Sequence, residues 1–304
     1  MNNYSVFDLH CDTADKLISG EKLKSNSSHI DLLRAKNFNN YVQCFSCFTK
    51  EEKNAVLLFE KKKTALLTEI NKNSDLITIA KNGNDLKQNK ENKKMSAILT
   101  LEGAAGINHN TAALENLRQT GFRMCSLCWN QENVLTGSNQ TGGGLTQKGK
   151  DFVKEANRLG MFIDVSHISD DGFWDIFKTS SLPIIASHSN SRFVHPHKRN
   201  ITDDMFLAIC ESGGVVGINL YAPFLSENGN INDVLRHIFH FLELDPSQNH
   251  IALGGDLDGC DTLANGITDI TDYKKIAAAL ISAGLSKPAL NKIFFQNAFN
   301  LFEK

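Results

Sequence analysis

Residues 162–188 read FIDVSHISDDGFWDIFKTSSLPIIASH, and this one stretch holds a complete β-α-β unit. Phe162–His167 is a short apolar run ending in His, Asp170–Phe177 spaces its apolar residues helically, and Pro183–His188 is a second apolar run ending in His. Two strands joined by a helix lie parallel, through a right-handed crossover. Outward from this unit, comparable runs fall at Val6–Asp12, Tyr41–Phe48, Ser96–Glu102 and Phe122–Trp129 before it, and at Val215–Tyr221 and His250–Asp256 after it. Helical spacing separates them in Glu52–Ile79, Thr111–Thr120, Thr146–Leu159, Thr202–Glu211 and Ile231–Leu242, and Asp272–Ala283 follows the last run. Eight such units in 304 residues predict one closed (β/α)8 TIM barrel over residues 1–304 rather than an open doubly wound sheet. Residues 13–40 read as a loop with an irregular helix, Lys81–Lys94 as a solvated turn, and Ser286–Lys304 as a closing pair of short helices.

Composition narrows the partners. Lys+Arg at 32 nearly balances Asp+Glu at 34, so no basic excess points to nucleic acid or an anionic membrane surface. The longest mostly apolar stretch, Gly213–Leu225, contains Asn219 and Pro223 and falls short of the ~18 residues that span a bilayer. The opening MNNYSVFDLHCD has neither a positive nor an apolar leader region, and seven cysteines, an odd number, are scattered through apolar segments. A cytoplasmic protein with reduced thiols is the expectation.

Polar residues gather at the C-terminal ends of the runs: His10 and Asp12 in DLHCD, Glu102 in LTLEG, His167 in IDVSH, His188 in IIASHS, Asp256 and Asp258 in LGGDLDG. In a barrel these ends meet at one mouth, where active sites sit. His10 and Asp12 are two apart and share a strand face. A set of imidazoles and carboxylates suits zinc or a neighbouring first-row divalent metal. Five ligands are too many for one metal with an open position, but suit two metals if a carboxylate bridges, and Glu102 is the natural bridge. A single histidine at a strand end is usually structural; the coincidence of five such side chains carries the reading. His237 and His240, on a helical pattern, read as surface or partly buried, not as ligands. His195, His197, Arg192, Lys198 and Arg199 make a basic loop, either an anion site or a solvated surface. The pairs Cys44–Cys47 and Cys125–Cys128 lie in strand-like runs, where residues three apart face opposite ways, so buried reduced thiols are expected and not a metal site.

The motifs DLHCDT (8–13), LEGAAGI (101–107), IDVSHIS (163–169), ASHSNSR (186–192) with KRN (198–200), and GGDLDG (254–259) resemble, in order and spacing, the membrane dipeptidase (renal dipeptidase) family of zinc metallopeptidases. The likeness runs over essentially the whole chain and looks closest to the cytoplasmic bacterial branch. It implies a barrel of the metal-dependent amidohydrolase type with two Zn2+, one held by His10, Asp12 and Glu102, the other by Glu102, His167 and His188. It further implies Asp256 as general acid/base, Arg199 as the clamp for a dipeptide's C-terminal carboxylate, and the homodimer that many family members form. Trp129 stands where mammalian members have a substrate-contacting His, and Phe224 where a second Tyr follows Tyr221, so Trp129 and Tyr221 are read as substrate contacts in an altered pocket. The expected reaction is dipeptide hydrolysis by a metal-activated hydroxide; the alternatives are a related amidohydrolase acting on another amide, or a catalytically silent metal-binding protein.

Overall fold

The computed structural model describes residues 4–304. Nine parallel strands follow in chain order: β1 (Val6–Cys11), β2 (Tyr41–Phe48), β3 (Ile77–Ile79), β4 (Met95–Glu102), β5 (Phe122–Cys125), β6 (Phe162–Asp164), β7 (Ile184–Ala186), β8 (Val215–Ile218) and β9 (Ile251–Leu253). The order is β2-β1-β9-β8-β7-β6-β5-β4-β3, and β2 pairs back onto β4, so eight strands close into the expected barrel. β3 is the addition. It pairs with the start of β4, Ile77 to Met95 through Ile79 to Ala97, while β5 pairs with β4 from Leu99 onward.

β3 corrects the expectation of one helix over Glu52–Ile79. The helix covers Ala55–Lys72 and stops at Asn73, and the β-branched triplet Ile77-Thr78-Ile79 extends instead. Lys81–Lys94 is likewise not a bare turn: Gly83–Glu91 is helical, started by the Asn82 side chain accepting from the Asp85 N–H. Leu86 is its one large apolar residue, too little for a periodic signal. Residues 13–40 hold two short helices, Thr13–Ile18 and Leu32–Ala35.

Several ladders stop short of the polar residues that were expected to end them. β6 ends at Asp164, β7 at Ala186 and β9 at Leu253, so His167, His188 and Asp256 lie in the loops just beyond. The cause is side-chain competition for backbone donors. Asp164 Oδ1 takes the N–H groups of Ser166 and Ser187 at 3.0 Å each, Asn190 Oδ1 takes that of Asn219 at 3.1 Å, and Asp8 Oδ2 takes that of Gly255 at 3.1 Å.

Phe7, Leu9, Val42, Cys44, Ile98, Met124, Phe162, Ile185, Val215 and Ala252 form one buried cluster drawn from all eight barrel strands. The C-terminal segment joins it: Phe302 packs on Phe7 and Phe162, with ring centroids at 5.4 and 5.1 Å, and its carbonyl accepts from Arg123 at 2.6 Å. The closing helices expected at Ser286–Lys304 run nearly without a break, through a π-helical turn at Lys292–Gln296. Cys44 belongs to this inner cluster and Cys47 to the outer one, so that pair does face opposite ways; burial pushes the Cys47 thiol up to about 12.

β1 carries the irregularity that positions His10 and Asp12. Its register with β2 shifts between Asp8 and Cys11. Phe7 and Leu9 pack in the inner cluster and Cys11 in the outer one, so strict alternation breaks between them. A bulge of this kind turns the strand face over by one residue. His10 and Asp12 thereby project into the mouth.

His237 lies deeper than the surface or partly buried position expected of it. It is fully buried, accepts from the Ser191 N–H at Nδ1 (3.1 Å), and donates from Nε2 to the Leu225 carbonyl (3.0 Å), tying the loops after β7 and β8 together. Burial lowers its pKa to about 4. Between pH 6.5 and 4 the unfolded chain therefore binds the proton that the folded chain excludes, and stability falls as pH falls. Urea melts should show wild type losing about 3 kcal/mol more than His237→Gln across that window, from ~1.4 kcal/mol per pKa unit. Equal losses in the two proteins would refute a neutral, buried His237.

Candidate metal centre

The five expected ligand residues do converge. Glu102, at the end of β4, lies between two groups: its Oε2 is 3.3 Å from His10 Nε2, and its Oε1 is 3.0 Å from His167 Nε2 and 3.8 Å from His188 Nε2. Asp12 Oδ2 is 3.5 Å from His10 Nε2 on the first side. All five residues are buried, each under one-tenth exposed.

A second layer, absent from the sequence reading, sets the imidazoles. His167 Nδ1 lies 2.8 Å from Asn130 Oδ1. His188 Nδ1 lies 2.7 Å from Ser187 Oγ, and that hydroxyl donates to Asp164 Oδ2 at 2.5 Å. Both Nδ1 atoms therefore face acceptors and carry the proton, leaving each Nε2 as a lone pair. Those Nε2 atoms are 3.0 Å apart, a repulsive arrangement that a shared cation would relieve. Nε2 of His10 and Oδ1 of Asp12 are buried without a hydrogen-bond partner. Within this cluster two triplets bring ligand atoms together closely enough for an ion, His10-Glu102-His188 and His10-Asp12-Asp256. The residues present fit divalent metal.

The charges of the bare cluster agree. Burial opposes a charge on His10, but the Glu102 carboxylate overrides it and holds the His10 pKa well above its ordinary value. Burial likewise opposes ionised Glu102, and His10 and His167 hold its pKa well below normal. Burial and then Arg199 lower His167 to about 4; burial and then Glu102 push Asp12 up to about 7. A bound dication would favour Asp12, which resists ionising beside Glu102, as the carboxylate, and His167, which resists protonation, as the neutral imidazole.

Asp256 follows β9 with φ +57°, a left-handed conformation that costs an L-residue energy and is maintained by its surroundings. Its Oδ2 accepts from Asn219 Nδ2 at 3.1 Å and its Oδ1 lies 3.8 Å from His10 Nε2. Burial is the main force raising its pKa. Gly259 leaves room beside it: a Cβ there would sit 2.2 Å from Asp12 Oδ2 and 2.7 Å from Asp256 Oδ1.

A cavity of about 580 Å³ opens over the cluster and is bordered by Trp129, Arg199, Tyr221 and Phe224 as well as by Asp256. Arg199 is buried, with Nη2 3.3 Å from His167 Nε2 and its Nε unpartnered. Trp129 packs on Phe48 at 4.8 Å between ring centroids and Phe224 on Tyr221 at 4.8 Å, forming two aromatic walls. The rest of the basic loop divides. Arg192 pairs with Asp170 at 2.6 Å, whereas His197 and Lys198 border the cavity. Asp258 is structural: its carboxylate accepts from Thr13 Oγ1 and the His29 N–H, both at 2.6 Å. Among the described residues no helix is long and apolar enough to cross a membrane.

Known proteins share this fold. A metallo peptidase from Rhodobacter sphaeroides, solved with a phosphinate mimic of the dipeptide L-Ala-D-Ala, superposes with a TM-score of 0.92 at 26% identity, covering 99% of both chains. A second solved metallo peptidase, dipeptidase AC of family M19, also gives 0.92, at 27% identity and with 99% and 98% of the two chains covered. An uncharacterized dipeptidase of Schizosaccharomyces pombe is 33% identical over 216 residues, 69% of this chain; the match spans about half (53%) of that relative's length. Residues 1–304 match the family model described as membrane dipeptidase, peptidase family M19, and the chain belongs to that family of metallopeptidases.

Proposed function

We propose that this protein is a dipeptidase whose residues 1–304 act as one catalytic barrel, in which His10, Asp12 and Glu102 would hold one zinc ion and Glu102, His167 and His188 a second. The observation carrying the proposal is the division of Glu102: one oxygen serves His10, on the side of Asp12, and the other serves His167 and His188. The Rhodobacter relative's dipeptide mimic supports the substrate class. A cytoplasmic setting belongs to the same proposal, in keeping with seven unpaired thiols, as does a homodimer, which sedimentation would test.

When bound, the metals supply a water acidic enough to ionise near neutral pH and polarise the peptide carbonyl. The chain's own residues do the rest. Arg199 receives the substrate's free carboxylate through charge-assisted hydrogen bonds, fixing which peptide bond reaches the cluster. Asp256, oriented by Asn219, takes the proton from the attacking water and returns it to the departing amine. Trp129 can donate an N–H but cannot titrate, so it contributes positioning rather than proton transfer. Tyr221 borders the same pocket with a hydroxyl.

A dipeptide panel scored by released amino acids, run with zinc and with chelator, tests this reading. Dipeptides with free C-termini should be cleaved only with metal, and amidated ones poorly. Arg199→Ala should raise KM roughly 10- to 100-fold and erase the discrimination, given ~1.5–3 kcal/mol for hydrogen bonds to a charged group. Turnover of cyclic or N-acyl amides but of no dipeptide would assign the site to a different amide.

A further inference from the structure

A dipeptide is a zwitterion, and the proposed function places its carboxylate on Arg199 but leaves its cationic end without a partner. The carboxylates around the cavity are Asp12, Asp15, Glu102, Asp256, Asp258 and Asp261. Asp12 and Glu102 are committed to the metal cluster, Asp256 to proton transfer, and Asp258 to Thr13 and His29. Asp261 faces the Tyr221 hydroxyl. Asp15 is left.

Asp15 lies in the first turn of the Thr13–Ile18 helix, which begins directly after Asp12, and its N–H bonds to the Asp12 carbonyl at 3.0 Å. Its Oδ1 is held 2.6 Å from Lys62 Nζ. Lys62 is itself an oddity: its side chain is only 2% exposed, and its ammonium also donates to the Phe48 carbonyl at 2.7 Å and sits 4.8 Å from the Phe48 ring. A lysine is almost never so deeply buried unless paired. This one reaches from the Ala55–Lys72 helix and pins two pieces of the cavity wall, Asp15 and Phe48, at once. Among the described residues Lys62 is the one side chain paired with the Asp15 carboxylate, which borders the cavity and is 36% exposed.

We propose that Asp15, fixed in place by the buried Lys62, is the receptor for an ammonium group on the N-terminal residue of the substrate. Lys62 occupies one carboxylate oxygen and so aims the other, removing the rotamer freedom that a bound ammonium would otherwise have to order. Arg199 and Asp15, both bordering the cavity, then hold opposite charges of the substrate. The ammonium comes either from the substrate's α-amine or from a basic side chain on that residue; the chemistry at Asp15 is shared.

This inference rests on the dipeptidase reading, and the test separates the two. Zinc-loaded wild type and Asp15→Asn are assayed with Ala-Ala, N-acetyl-Ala-Ala, Met-Ala and Lys-Ala. If the α-amine is the ligand, wild type rejects the acetylated substrate, and Asp15→Asn raises KM at least tenfold for all three free dipeptides while kcat changes less than threefold. If a basic side chain is the ligand, wild type prefers Lys-Ala over Met-Ala, and only Lys-Ala suffers in the variant. Unchanged KM for every substrate overturns the Asp15 assignment while leaving dipeptidase activity intact. Failure of wild type to cleave any dipeptide overturns the underlying reading instead. Should Asp15→Asn fold poorly because it leaves the buried Lys62 charge unpaired, Lys62→Met/Asp15→Asn removes the pair as a unit, and the same KM shifts are expected of it.

Discussion

Asp256→Asn should retain the metal content of wild type and lose about 10²- to 10⁴-fold in kcat, the range that a positioned proton-transfer group contributes. Asparagine is close to isosteric, tolerates the left-handed backbone at φ +57°, and can still meet Asn219 through its amide oxygen. What it lacks is a basic oxygen for the proton of the attacking water. Elemental analysis beside steady-state kinetics separates this role from its rival. Asp256 also forms a ligand triplet with His10 and Asp12, so loss of one metal equivalent in the variant would make it a ligand instead. A kcat within tenfold of wild type, with both metals present, would remove Asp256 from the chemistry.

Glu102→Gln should be more damaging still, because one side chain serves both halves of the cluster. The variant keeps the volume and can keep the hydrogen bond from Ser46 Oγ, which now reaches Glu102 Oε2 at 2.9 Å. It removes the charge that faces three imidazoles. Both metals should be lost on dialysis, and activity at saturating substrate should fall by about 10³-fold or more, since the metals supply several kcal/mol of transition-state stabilisation and each ~1.4 kcal/mol is tenfold. Retention of two metals and a tenth of the rate would show that Glu102 is not the bridge.

Much of this architecture was legible in the sequence because a parallel barrel repeats one unit. Each strand is buried on both faces and reads as a continuous apolar run, and each run ends where the ring opens to solvent. His10, Asp12, Glu102, His167 and His188 were therefore recognisable as one group from their place in the repeat. Ile77–Ile79 was hidden because three residues give no periodicity apart from the helix before them, and Gly83–Glu91 because a helix resting on Leu86 alone has no apolar stripe. Asn130, Ser187, Asp164 and Asn219 were hidden for a different reason. Their work is to hold another residue's ring or carboxylate, and nothing in their own spacing records which residue that is.

By itself the sequence determined the barrel, the mouth at which chemistry gathers, the mixed imidazole and carboxylate donors, and the family motifs that carry them. Tertiary structure decided their orientation and partners. Two-residue spacing suggested a shared face for His10 and Asp12, but Leu9 and Cys11 have the same spacing and pack on opposite sides, so it is the bulge in β1 that decides where His10 and Asp12 project. His237 had the same helical context as His240, and only the loops folded over it made it a buried neutral link. Six carboxylates border one cavity, and only the neighbours supplied by distant segments give each of them different partners. Local spacing is a property of the chain, whereas desolvation and hydrogen-bond partnership are set by whichever segments close over a residue.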